Sequence, residues 1–265
     1  VLKYCHGASS GKAVSYLTNM GTLEYPPAYT SLVKLGIAEC NANKASFIYI
    51  PRWNGWKKDE VDEHSRYLMS GVEDYNNFLA DHESLFIGSE LYANVAVLCS
   101  LQQAYGKQMS YPMAISRMLT DEQIPHLMLV DEDLSKGEKL NQFDGLILPE
   151  VPMMSDRQIE VVEKYVKDGG GIIIYGPTAT MDEYGRLRRK ELGFHRLLKN
   201  MGSWGHIDPK TDPSVGVNTT RKGYFGEGRI IYIPRDAYIS FPSNGRNKVV
   251  LFEGMASITA EKMTA

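Results

Sequence analysis

Two spacings of apolar residues divide this chain into elements. Val95-Ala-Val-Leu98, Leu127-Met-Leu-Val130, Gly145-Leu-Ile-Leu148 and Ile172-Ile-Ile174 are short apolar runs, and Arg229-Ile-Ile-Tyr-Ile-Pro234 is a fifth. Runs of this kind, separated by helix or loop, predict parallel strands covered on both faces. Between the third and fourth runs, Ile159, Val161, Val162, Tyr165 and Val166 form one stripe at roughly helical spacing. Ser155 with Gln158 three residues later makes a capping box for that helix, and Gly169 can take the left-handed conformation that ends it. A further helix is predicted around Pro112 to Glu122. From Asn94 onward the pattern is that of a five-stranded, doubly wound parallel sheet.

The first 90 residues read differently. Lys12 to Leu17 and Ala45 to Ile50 are strand candidates, each followed by a helical stretch, from about Tyr29 to Asn43 and from about Asp59 to Leu85. Two strand–helix pairs cannot bury their own apolar faces. They read as the last two units of a (β/α) barrel. The expected organisation is therefore a barrel end at 1–90, a doubly wound domain at 91–240 and a C-terminal tail at 241–265. There are no internal repeats.

Composition narrows the function classes. Hydrophobic residues make up 43% and charged residues 23% of 265, ordinary values for a globular protein. A net charge of −3 gives no electrostatic case for nucleic acid or an anionic membrane. Cys5, Cys40 and Cys99 have no metal-ligand spacing and cannot all pair, which fits a reducing, cytoplasmic setting. No apolar run approaches the ~18 residues of a membrane span. The first residues, Val1-Leu-Lys-Tyr-Cys-His6, lack methionine and read as the middle of a helix, so a longer native protein is expected.

Several phrases together point to a family. They are His82-Glu-Ser-Leu-Phe86, Val95-Ala-Val-Leu-Cys-Ser100, Phe143-Asp-Gly-Leu-Ile-Leu-Pro149, Tyr165-Val-Lys-Asp-Gly-Gly170, Met181-Asp-Glu183 and Gly226-Glu-Gly-Arg229. In that order and spacing, Val95 to Pro234 resembles the glutamine-amidotransferase-like trimerisation domain of barrel-type β-galactosidases. The resemblance implies a flavodoxin-like fold and a homo-oligomer, with a trimer the form it suggests. The preceding part is similar to the end of the catalytic barrel in the same enzymes, through Ala38 to Ala45 and Phe47-Ile-Tyr-Ile-Pro-Arg-Trp53. It implies that Trp53, with Arg52, faces a sugar site at the barrel mouth. The sequence departs from the family at one point: the strand that should end in the nucleophilic glutamate ends in Leu17-Thr-Asn19. The acid/base residue of the family belongs to a strand upstream of this chain.

Candidate chemistry is correspondingly sparse. Retaining glycoside hydrolysis needs two carboxyl groups about 5 Å apart, and Glu24 alone is placed near the barrel mouth, so no catalytic pair is expected. Trp53 and Trp56, three apart and flanking Asn54-Gly55, could stack on the C–H faces of a sugar or pack the barrel end. An amidotransferase-type hydrolase needs a cysteine or serine on a tight strand-to-helix turn with a histidine base. After the fourth strand the chain instead reads Tyr175-Gly-Pro-Thr-Ala-Thr180, and His195 and His206 have no matching nucleophile. Cys99 reads as a small buried residue. Asp131-Glu-Asp133 reads as a solvated loop, and Asp182-Glu183 as partners of Arg186, Arg188 or Arg189. Gly226-Glu-Gly228 reads as a hairpin turn.

The expected role is the non-catalytic assembly portion of a β-galactosidase-related glycoside hydrolase, needing no cofactor or metal. Two alternatives stay open: a carbohydrate-binding or sensing protein without hydrolase activity, and an amidotransferase-fold hydrolase with an unrecognised nucleophile.

Overall fold

The computed structural model describes residues 2–9, 12–18, 28–49, 63–104, 110–188, 193–199 and 220–233. The chain divides into two compact units, 1–91 and 92–265.

In the first unit the described elements are α1 (Leu2–Ala8), β1 (Val14–Thr18), α2 (Ala28–Ala42), β2 (Ala45–Tyr49), α3 (Glu63–Asp81) and α4 (Glu83–Phe86). Strands β1 and β2 pair in parallel with Val14 opposite Ala45 and Leu17 opposite Ile48. A parallel pair needs a crossover, and α2 supplies it. Helices α2 and α3 meet through Val33, Ile37 and Leu68, with Phe47 of β2 packed against them. Gly71 lets them approach: a Cβ there would lie 2.8 Å from the Thr30 carbonyl oxygen. The Thr30 hydroxyl donates to the Tyr67 carbonyl at 2.9 Å across the same interface. Leu17 and Ile48, partners in register, stay 57% and 42% exposed.

The second unit contains β3 (Val95–Leu98), α5 (Leu101–Ala104), α6 (Ser110–Asp121), β4 (His126–Leu129), α7 (Asp131–Lys136), β5 (Gly145–Pro149), α8 (Asp156–Lys167), β6 (Gly171–Tyr175), α9 (His195–Leu198), β7 (Arg221–Phe225) and β8 (Gly228–Ile233). Its sheet runs β4-β3-β5-β6-β8-β7. Counted within the unit, the five parallel strands stand in the order 2-1-3-4-5. The sixth strand, β7, is antiparallel to β8 and sits at the edge. Five strands were expected and six are found. The added strand lacks an apolar run, because Arg221, Lys222 and Tyr224 occupy an edge strand whose side chains need not all be buried.

Alternation along the central strands explains why their sequences are apolar throughout. Ala96, Leu98, Leu146, Leu148, Ile172, Ile174, Ile230 and Tyr232 face one layer, with Ile159, Val162, Tyr165 and Val166 of α8. Val95, Val97, Ile147, Ile173, Tyr175, Ile231 and Ile233 face the other, with Ile115, Met118 and Leu119 of α6. Every residue of β5 and β6 is buried as a result.

The capping box of α8 forms as its sequence predicts. The Gln158 N–H donates to Ser155 Oγ at 3.2 Å, and the Ser155 N–H donates to Gln158 Oε1 at 2.8 Å. Gly169, at φ +106°, follows the last turn. The turn at Gly226 joins β7 to β8 and docks on the end of this helix, where the Glu227 N–H donates to the Lys167 carbonyl at 3.1 Å. At Gly228 a Cβ would lie 2.0 Å from the Val166 carbonyl oxygen, so only glycine fits there.

Candidate functional site

In an open α/β sheet, ligands bind in the crevice outside the carboxyl ends of the strands, at the point where the strand order reverses. That point lies between β3 and β5 in this chain, since the chain passes from β3 to β4 on one side and then to β5 on the other. Ser100 follows β3, Asp131 follows β4, Glu150 follows β5 and Gly176 follows β6. These are the residues that the topology brings to one edge.

The strand-to-loop turns differ in strain. Glu150 is fully buried and has φ +52°, a left-handed conformation that non-glycine residues adopt at some energetic cost. Its N–H donates to the Tyr175 carbonyl at 2.7 Å, which ties the turn to the neighbouring strand. Its carboxyl packs beside Gly176, itself at φ +65°, and a Cβ at that glycine would lie 3.4 Å from Glu150 Oε2. The strained non-glycine turn directly at a strand end thus follows β5, not β6 where the sequence placed an elbow. The signal that could have found it is Pro149-Glu-Val-Pro152: two prolines bracket a turn at the end of an apolar run.

The loop after β6 is built for structure. Thr178 is buried; its hydroxyl donates to the Gly176 carbonyl and accepts from the Val151 N–H, both at 3.4 Å. Ala179 has φ +55°, and its N–H donates to the Val151 carbonyl at 2.8 Å. The following turn folds around Asp182, whose Oδ1 accepts from the Tyr184 and Arg186 N–H groups at 2.9 and 2.8 Å. Of the arginines expected to pair with Asp182 and Glu183, Arg186 meets Asp182 through its backbone N–H, and Arg189 lies outside the described residues. Arg188 turns instead to Asp156 at 2.5 Å and to the Met154 carbonyl at 2.8 Å, fastening this loop to the start of α8.

Asp131-Glu-Asp133 is not a loop but the first turn of α7. Asp133 is buried and paired with Lys139 at 2.6 Å, while Glu132 pairs with Lys136 one turn on at 2.7 Å. Asp131 lies beside β3: its Oδ2 accepts from the Leu101 N–H at 2.8 Å. The sequence missed the helix because six residues are too short to show a helical period.

Nucleophilic chemistry finds little support among the described residues. Cys99 is fully buried, and burial followed by the charge of Asp131 pushes its thiol up to about 11. Such a thiol is protonated at neutral pH and is a poor nucleophile. The Ser100 hydroxyl is buried with no hydrogen-bond partner, so no base is hydrogen-bonded to it. His195 lies on α9, where its charge and that of Arg196 act on Glu163 of α8. No group of three or more His, Cys, Asp or Glu among the described residues could hold a metal ion. The sequence-derived sugar-site residues Glu24, Arg52, Trp53 and Trp56 lie outside the described residues, as does His206. No described helix is long and apolar enough to cross a membrane.

No protein-family model matches this sequence, and no curated protein matches it. Solved structures do resemble its fold. The β-galactosidase from Bacillus circulans sp. alkalophilus superposes with a TM-score of 0.67 at 13% identity, over 100% of this chain and 47% of that one. The cold-adapted β-galactosidase from Rahnella sp. R3 gives a TM-score of 0.66 at 11% identity, over 97% of this chain and 47% of that one. A catalytic mutant of Gan42B, a GH42 β-galactosidase from G. stearothermophilus, gives 0.59 at 13%, over 89% of this chain and 41% of that one. The chain spans less than half the length of these three structures. At such identities the likeness establishes a shared fold.

Proposed function

We propose that this chain is the portion of a β-galactosidase-related glycoside hydrolase that runs from the end of the catalytic barrel through a flavodoxin-like assembly domain. The observation that carries this reading is the fold likeness to β-galactosidases over 97–100% of the chain, which takes in both units. The strand order 2-1-3-4-5 supports the flavodoxin-like assignment of the second unit. The parallel pair β1–β2, with Leu17 and Ile48 exposed on it, supports a barrel end, because such a pair buries its open face only when more strands adjoin it.

In this reading the second unit associates with copies of itself, as a trimer, and carries no reaction step. Arg52, Trp53, Trp56 and Glu24 line the wall of a sugar site whose catalytic carboxylates belong to the longer protein. Neither nucleic acid nor membrane is a partner, and the setting is cytoplasmic.

Light scattering on the eluted 265-residue chain tests the assembly role. A mass three times that of the chain, unchanged across a tenfold dilution, is expected; a monomer at micromolar concentration overturns it. The sugar wall is tested separately, by tryptophan fluorescence on titration with a galactoside. The change should vanish in Trp53→Ala, and an unaltered response in that variant removes Trp53 from the site.

A further inference from the structure

We draw no further inference here: the strongest candidate, the Ser116–His126 pair that joins α6 to the edge strand β4 at 2.8 Å, carries nothing beyond packing, because Ser116 lies inside α6, where the helix takes up the backbone N–H groups that an oxyanion would need, and the ring of the buried His126 is satisfied by that hydroxyl and the Ile124 carbonyl.

Discussion

Ile48 and Ile173 sit in the middle of short apolar strands of parallel sheets, yet Ile48 is 42% exposed and Ile173 is fully buried. Their own sequences do not separate them: Ala45-Ser-Phe-Ile-Tyr49 and Gly171-Ile-Ile-Ile-Tyr175 both read as apolar strands. Neighbours do. β6 lies between β5 and β8, with α8 packed on one face and α6 on the other. β2 has one described strand partner, and α2 and α3 cover one face of it. Burial in a parallel sheet is thus a property of the layer stack, and Leu17 and Ile48 are exposed because the described helices cover only the other face of their pair.

The sharpest way to break this comparison is to cut a large side chain from the stacked sheet. Ile174→Ala in β6 should destabilise the second unit by about 2–5 kcal/mol, the range for a fully buried aliphatic residue. Urea unfolding followed by circular dichroism measures it, and a loss below 1 kcal/mol would mean that the core is looser than its burial indicates. Next in size is the helix cap. Ser155→Ala should cost about 0.5–2 kcal/mol, because the hydroxyl that accepts from the Gln158 N–H is lost while the backbone N–H bond to Gln158 Oε1 remains; Ser155→Asp should restore much of it.

A smaller effect concerns Glu163, which joins α8 to α9. Burial raises its carboxyl above the ordinary glutamate value of 4.5, and the charges of Arg196 and His195 only partly oppose this. A raised carboxyl pKa in the folded state means that the folded protein holds this proton more tightly than the unfolded chain. Stability from this group is therefore present at low pH and lost as pH rises through and just above 4.5. Glu163→Gln should flatten the pH dependence of unfolding in that window, and an unaltered slope would assign it to other groups. The smallest expected effect lies on the open sheet. Ile48→Ser in the 265-residue chain should change stability by no more than about 0.5 kcal/mol. A loss near that of Ile174→Ala would show the face to be covered in solution.

Chemical reactivity sharpens the same contrast between buried and open positions. With its thiol pushed up to about 11, Cys99 should resist iodoacetamide at pH 7.5 until the chain is unfolded. Mass spectrometry of the alkylated peptides reads this directly. Rapid labelling in the folded protein would revive the hydrolase with an unrecognised nucleophile.

Much of the second unit was legible in its sequence. Five apolar runs, a striped helix, the Ser155–Gln158 box and the turn at Gly226 each follow from local rules, and each forms within a residue or so of where it is predicted. Local rules hold there because capping, helix stripes and glycine turns are decided within a few residues. Besides the short helix α7, three features escaped them. β7 is held in the sheet by pairing with β8, not by any apolar pattern of its own. Glu150 adopts φ +52° because the Tyr175 carbonyl and the surrounding core hold its turn. Arg188 passes over the acids next to it for Asp156, distant in sequence but close in the fold.

The same division holds for the candidate site. The sequence by itself determined that the chain is α/β and that its second part carries a mostly parallel sheet. These follow from residue types and short spacings. Only the tertiary structure decided which side chains meet at the carboxyl edge. Ser100, Asp131 and Glu150 come from three strands up to 50 positions apart, and strand order, a non-local choice made by layer packing, sets them at one edge.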